Sequence, residues 1–190
     1  LDGNNKIEQT TSANDRKDMK VIGNSLPRYN YNFGISADWY GIDFSVLFQG
    51  IGKQNWYPGA ETSMFWGPYS RPYASFIPSD FMSQVWSEEN TDAYFPRPRG
   101  YVALGSNREL AVVNTKYLQN LAYCRLKNLS IGYTLPDKWL SKIGFEKIRV
   151  YFSGENLLTF TKLHSDYIDP EQASASNSWK TSKSDANIYR

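Results

Sequence analysis

Four stretches of the chain alternate between apolar and polar residues. In 29–39, Tyr29, Tyr31, Phe33, Ile35, Ala37 and Trp39 are interleaved with Asn30, Asn32, Gly34, Ser36 and Asp38. A period of two puts successive side chains on opposite faces of a strand, and six alternations in a row do not fit a helix. Tyr40-Gly41 predicts a tight turn. The second strand follows over 42–50, with Ile42, Phe44, Val46 and Phe48 on one face and Asp43, Ser45, Leu47 and Gln49 on the other. A third strand is predicted over 117–135, where Leu129, Ile131, Tyr133 and Leu135 are spaced by Ser130, Gly132 and Thr134. A fourth is predicted over 147–160, with Ile148, Val150 and Phe152 opposite Arg149, Tyr151, Ser153 and Glu155. The link at 136–146 is short and has room for one helical turn at 137–142.

The third strand changes phase. Cys124 and Leu126 are apolar at even positions, whereas the residues from Leu129 onward are apolar at odd ones. A β-bulge near Lys127-Asn128 produces such a slip. Alternatively there is no bulge, and Cys124 and Leu126 face the opposite side.

Alternation stops over 51–116. Trp56-Tyr57-Pro58-Gly59, Phe65-Trp66-Gly67-Pro68-Tyr69 and Tyr94-Phe95-Pro96-Arg97-Pro98-Arg99 are rich in aromatics and turn formers. The last run is excluded from a central strand by its prolines. A helix is predicted over 79–88, with Ser79 as N-cap and Phe81, Val85 and Trp86 on one face. A connection this long is functional or disordered, and its aromatic load argues against disorder.

Connections alternate in length: 1–28 long, 40–41 short, 51–116 long, 136–146 short, 161–190 long. Antiparallel strands put successive connections at opposite ends. Outer-membrane barrels have short turns at the periplasmic end and long loops outside. Strands of about 9–11 residues are long enough to cross a bilayer when tilted. The pattern therefore predicts an all-β fold: four antiparallel strands of a transmembrane β-barrel with one long extracellular loop. Four strands cannot close a barrel, because unpaired edges are too costly in lipid. The competing reading is a secreted, soluble β-rich module that binds glycans.

Composition narrows the function. Lys and Arg number 21 against 19 Asp and Glu, and no clustered basic face marks a nucleic-acid partner. Six Trp, fourteen Tyr and ten Phe suit a barrel's interfacial girdles or sugar-stacking surfaces equally well. The single Cys124 excludes an intrachain disulfide, and the single His164 argues against a histidine-based zinc site. No apolar run reaches the roughly 18 residues of a transmembrane helix, which leaves a barrel open. The sequence shows no signal peptide and starts at Leu1, as expected of a piece of a longer polypeptide.

No catalytic constellation emerges and no cofactor is implied. Glu88 and Glu89 are adjacent and diverge. Asp166, Asp169 and Glu171 read as solvated turn residues around Pro170. His164 has no Gly-x-Ser-x-Gly elbow beside it, and no glycine loop cradles phosphate.

Two long runs, Tyr-Cys-Arg-Leu-Lys-Asn-Leu-Ser-Ile-Gly-Tyr-Thr-Leu-Pro (123–136) and Ile-Arg-Val-Tyr-Phe-Ser-Gly-Glu-Asn-Leu-Leu-Thr-Phe-Thr (148–161), resemble the C-terminal end of SusC/RagA-type TonB-dependent outer-membrane transporters. Asp-Tyr-Ile-Asp-Pro-Glu (166–171) and Ile-Gly-Asn-Ser-Leu-Pro-Arg-Tyr-Asn-Tyr (22–31) fit the same family, in the same order. The resemblance implies a large plugged barrel of about 22 strands, with the plug, the TonB-contacting segment and a closing strand lying outside this chain. It implies import of large nutrients, oligosaccharides or peptides, with a SusD-like lipoprotein capping the outer mouth. Asp2-Gly3-Asn4-Asn5-Lys6-Ile7 resembles half of the calcium loop such proteins carry, but it also reads as a plain solvated loop, so no metal ligand is assigned.

On this reading Phe44, Val46, Phe48, Ile131, Tyr133, Val150 and Phe152 face lipid. In the loop, Trp56, Tyr57, Trp66, Tyr69, Tyr73 and Trp86 offer flat faces for a ligand or partner, and Arg97 and Arg99 offer hydrogen bonds to an acidic or polyol ligand. The same aromatics would equally form a core of the loop's own.

Overall fold

The computed structural model of the chain describes residues 8, 14, 17–60, 62–70, 77–105, 109–141 and 144–175. The Asp/Asn-rich stretch at 2–7 and Tyr73 lie outside the described residues.

The strands are β1 (Arg28–Trp39), β2 (Ile42–Lys53), β3 (Asn55–Trp56), β4 (Gln119–Asn120), β5 (Tyr123–Thr134) and β6 (Arg149–Thr161). Three short helices accompany them: α1 (Ser63–Trp66), α2 (Asp137–Leu140) and α3 (Pro170–Ala175). The four long strands form one antiparallel sheet in the order β1-β2-β5-β6. The β3–β4 pair is a separate two-stranded ribbon joining Asn55 to Asn120 and Trp56 to Gln119.

Tyr40 and Gly41 both have positive φ, 45° and 85°. That is the mark of a two-residue primed turn, whose twist suits the flanking strands. A side chain at Gly41 would also collide with the Thr134 carbonyl, since its Cβ would lie 2.8 Å away. The turn fixes Trp39 opposite Ile42, and the register runs from there to Arg28 opposite Lys53.

Register rather than sequence parity settles the phase slip. Val46 faces Leu129, but Phe48 faces Leu126, so Lys127 is one extra residue on β5. It is a bulge, and it returns Leu126 and Cys124 to the face of Phe48 and Gly50. The alternative, in which they point to the other side, does not hold. On β6 the same irregularity is met between Glu155 and Leu158, where Asn156 takes φ 52°.

Paired residues share a face, so the sheet reads as rows. One face carries Trp39, Ile42, Tyr133 and Val150, then Ala37, Phe44, Ile131 and Phe152, then Ile35, Val46, Leu129 and Gly154. Phe33, Phe48, Leu126 and Leu158 form the next row, where Phe33 stacks on Phe48 at 5.0 Å. The opposite face carries Ser36, Ser45, Ser130 and Ser153 in one row and Asn32, Gln49, Arg125 and Thr159 in another.

Two predicted elements differ. The third strand was expected from 117, but the chain turns at Leu121-Ala122, where the Asn120 side chain accepts from the Ala122 N–H at 3.0 Å. Tyr117 belongs instead to the loop interior. The helix expected over 79–88 is only a 3-10 turn at Phe81–Gln84, without a side-chain cap. Val85 is already extended and pairs with Phe95, and the Trp86 N–H donates to the Phe95 carbonyl at 3.0 Å. A lone short helix is marginal, and pairing with 90–95 satisfies more backbone here.

Candidate functional site at the loop end of the sheet

The two ends of the sheet are unlike. One bears the Tyr40-Gly41 turn and the link holding α2. At the other, 54–57, 62–70, 77–105, 109–121 and 163–173 fold together around an interior of Trp56, Met64, Phe65, Trp66, Tyr69, Phe81, Val85 and Phe95. Ala103, Leu104, Leu110, Tyr117, Leu121, Leu163, Ile168 and Ala173 complete it. Its aromatic rings meet mostly edge to face, as with Phe65 and Trp66 at 4.8 Å and 86°. That is a favoured geometry for ring quadrupoles.

Several polar tips inside this core are paired. The Trp66 indole N–H donates to the Pro58 carbonyl at 3.1 Å. The Tyr57 hydroxyl donates to the Leu110 carbonyl at 2.8 Å and accepts from the Asn114 amide at 2.9 Å. The Tyr69 hydroxyl donates to the Pro96 carbonyl. Burial disfavours the phenolate form. It pushes Tyr117 up to about 12 and lifts Tyr57, Tyr69 and Tyr94 above the ordinary tyrosine value.

This placement corrects part of the expected ligand surface. Trp66 and Tyr69 are 0% exposed and Trp56 only 9%. Their rings stack on the loop's own side chains and present no free face. Tyr57 is half-buried against the same core. Arg97 and Arg99 are the exposed members of the set among its described residues. Arg97 lies 4.5 Å above the half-buried Trp86 ring. Arg99 Nη1 is 3.0 Å from Glu109 Oε1. Tyr69, Pro96, Arg97, Arg99, Ala103 and Glu109 line an open recess of about 450 Å³.

The acidic turn after β6 is also corrected in part. Asp166 is exposed, as expected of a solvated turn. Asp169 and Glu171 instead fold back over the polar face of the sheet. Arg125 Nη2 donates to Asp169 Oδ1 at 2.5 Å, and Nη1 to Glu171 Oε2 at 2.6 Å. Arg125 Nε donates to the Thr159 hydroxyl at 2.9 Å, and Lys127 Nζ reaches Glu171 at 2.8 Å. Arg125 is 5% exposed, so these partners satisfy a charge taken out of water. The sequence signal was the spacing Asp-Pro-Glu, which points two carboxylates from one turn. What it lacked was any sign of their distant partners on β5.

Toward the turn end, Arg149 Nε donates to Asp43 Oδ1 at 2.9 Å. The pair reaches from β6 to β2 across β5, over Gly132. A Cβ there would lie 2.5 Å from Asp43 Oδ1 and 2.7 Å from Arg149 Nε, so only glycine leaves the bridge room.

The residues expected to face lipid all fall on one face. Phe44, Ile131 and Phe152 share a row, Tyr133 and Val150 another, and Val46 and Phe48 two more. Ile131, Val150 and Phe152 are exposed, the last at 59%, while Val46 is covered by its neighbours. No helix among the described residues is long and apolar enough to cross a membrane, a statement silent on strands.

The chain is 34% identical over 173 residues to TonB-dependent receptor P3 of Formosa agariphila, covering 90% of this chain and 15% of that receptor. It is 28% identical over 156 residues to TonB-dependent receptor P26 of the same organism, covering 81% of this chain and 14% of the relative. The chain thus spans about a seventh of the length of these curated relatives. Among solved structures, the RagAB peptide importer in its open-open state matches with a TM-score of 0.53 and 23% identity, over 86% of this chain and 16% of that one. The RagAB peptide transporter matches with a TM-score of 0.54, over 86% and 17%. At that identity the likeness is one of fold. No protein-family profile matches the chain.

Proposed function

We propose that this chain, which is similar to TonB-dependent receptors, is part of a SusC/RagA-type TonB-dependent transporter of the outer membrane and builds four adjacent strands of its barrel wall together with one anchored outer loop. The observation that carries this is the exposed apolar face. Phe33, Ile35, Val150, Phe152, Leu158 and Phe160 lie open on one side, with no second layer of described residues over them. In water such a face marks an interaction surface. In a bilayer it is the outside of the wall, and the serine and asparagine rows face the lumen. This disfavours the soluble glycan-binding module, which needs a second sheet on the same face.

On this reading β1 and β6 each pair outward with further strands of a barrel of about 22 strands, because lipid does not tolerate unpaired edges. The Tyr40-Gly41 turn is periplasmic and the loop core extracellular. The full transporter imports a large nutrient, an oligosaccharide or a peptide. TonB acts through segments beyond this chain, and a SusD-like lipoprotein covers the outer mouth beside the loop. Phe44, Val46, Phe48, Ile131, Tyr133, Val150 and Phe152 contact lipid, and Arg97 and Arg99 contact cargo or partner.

The test is a pair of adjacent substitutions in the full-length transporter. Val46→Arg puts a charge on the lipid side near mid-strand, at about 2–4 kcal/mol, and is expected to abolish the folded, heat-modifiable outer-membrane form. Ser45→Arg points into the lumen and is expected to assemble. Equal assembly of both variants would overturn the barrel reading.

A further inference from the structure

The recess beneath Arg97 and Arg99 has the construction of a binding site rather than a surface gap. Its floor is fixed. Tyr69 and Ala103 are buried, and the Tyr69 hydroxyl holds the Pro96 carbonyl, so the backbone entering Arg97 is tied to the loop core. Pro96 and Pro98 flank Arg97. Each locks its own φ and biases the residue before it toward extended backbone. Arg97 and Arg99 are two residues apart in this stretch and line the same recess. Its volume of about 450 Å³ lies within the ~300–1,000 Å³ of ligand pockets.

The charges are not balanced. Glu109 answers Arg99 through a single guanidinium nitrogen at 3.0 Å. Arg97 has no carboxylate partner among the described residues. Its guanidinium carbon lies 4.5 Å from the centre of the Trp86 ring, a cation–π contact that restrains the group, while the side chain as a whole stays exposed. Among the described residues that line the recess, two guanidinium groups stand against one carboxylate, which makes that lining net positive. A planar, pre-oriented fork matches a carboxylate through two parallel hydrogen bonds, which a lysine cannot do.

We propose that this recess binds a carboxylate of the transported cargo, with Arg97 as the principal contact and Arg99 as the second. The proposal rests on the transporter reading and deepens it. The two cargo sources that supply this chemistry are an acidic sugar of a glycan and an acidic residue or C-terminus of a peptide. Tyr69, which sequence reasoning placed against ligand, acts from below as the support of the floor.

The experiment uses the full-length transporter with its lipoprotein partner. Assembly is scored first by heat-modifiability, which reports on the transporter reading alone. Binding is then titrated with oligogalacturonate and with a hexaglutamate peptide, each beside an uncharged counterpart, methyl-esterified oligogalacturonate and hexaglutamine. One acidic probe is expected to bind at least about tenfold tighter than its counterpart, the scale of one charge-assisted hydrogen bond. Which arm shows it identifies the cargo source. Arg97→Gln with Arg99→Gln is expected to bring the acidic probe down to the affinity of its uncharged counterpart in the same variant. Arg97→Lys is expected to retain only part of it. Both arginines are exposed, so neither change threatens folding. No preference in either arm, or a preference that survives the double substitution, overturns the proposal. If the chain never enters the membrane the transporter reading fails, and the same titration on the purified protein still decides the carboxylate preference.

Discussion

In the sheet most large apolar side chains are exposed, and in the loop most aromatic ones are buried. Phe152 and Val150 stand open on β6, while Trp66 and Tyr69 have no surface left. The difference shows which solvent each region is built for. A wall in lipid turns its apolar residues outward and closes its backbone hydrogen bonds through its neighbours. A loop in water has to bury enough of its own rings to offset the entropy of ordering a long connection. The same aromatic residue types therefore take opposite roles within one chain, and composition alone does not separate them.

The sharpest way to break this contrast is to reverse a face. Deleting Lys127 removes the bulge, and a one-residue shift flips every side chain beyond it. Arg125 would then point to the lipid side near the loop end of the strand, where a charge costs about 0–1 kcal/mol, its buried ion pairs would be lost, and Cys124 and Leu126 would leave the apolar face. No heat-modifiable barrel is expected. Lys127→Ala keeps the bulge and loses only a partly exposed ion pair, so it is expected to assemble.

The next effect comes from truncating a ring in each region. Trp66→Ala is expected to cost the loop core about 3–5 kcal/mol, the range for emptying a packed aromatic site. Phe152→Ala is expected to cost under about 1 kcal/mol, because lipid refills the space it leaves. Limited proteolysis of intact cells reads the first and denaturant unfolding of the purified barrel the second. Similar losses for both would mean that protein, rather than lipid, covers the apolar face.

These two regions were not equally legible. The sheet is written in a local period, so the faces of β1 and β2 could be read residue by residue. The bulge at Lys127 showed as a break in that period, but its direction needed the partners across the ladder. The loop has no period. Trp66, Phe81, Phe95 and Tyr117 meet through contacts between distant segments, and the sequence left open whether such rings bind a ligand or one another. The pairing of Arg125 with Asp169 and Glu171 was invisible for the same reason: each partner alone looks like an ordinary polar residue.

Arg125 sharpens the comparison because it ties the two regions together. Replacing it with Ala leaves Asp169 buried without its cation, and breaking such a pair costs about 3 kcal/mol at the lower end of the buried range. The lower end applies because Glu171 keeps contact with solvent and with Lys127. The expected result is an assembled barrel whose post-β6 segment becomes protease-sensitive. Arg125→Met combined with Asp169→Leu is expected to recover most of the loss, since no uncompensated charge remains. A double variant no better than the single one would assign the segment's anchoring to the apolar contacts of Leu163 and Ile168 instead.

The smallest effect is a dependence on pH within the loop core. His164 stacks on Tyr94 with ring centres 3.8 Å apart, and its Nε2 lies 2.7 Å from Gln84 Oε1. Burial against these groups lowers its pKa, and the nearby Asp166 and Asp80 carboxylates oppose the shift. With the folded value below the unfolded one of about 6.5, the unfolded chain binds more protons between the two, so stability rises with pH across that window. The contribution is complete above about 6.5 and is lost as pH falls through the folded value. Protease cleavage of the loop should therefore quicken modestly between pH 7 and pH 5 and the barrel should not respond, since the ring is partly open to solvent and the shift is screened. His164→Gln, which keeps a polar planar group on Tyr94, is expected to flatten that dependence. An unchanged slope in this variant would move the titration to another group and leave the stacked imidazole a purely packing contact.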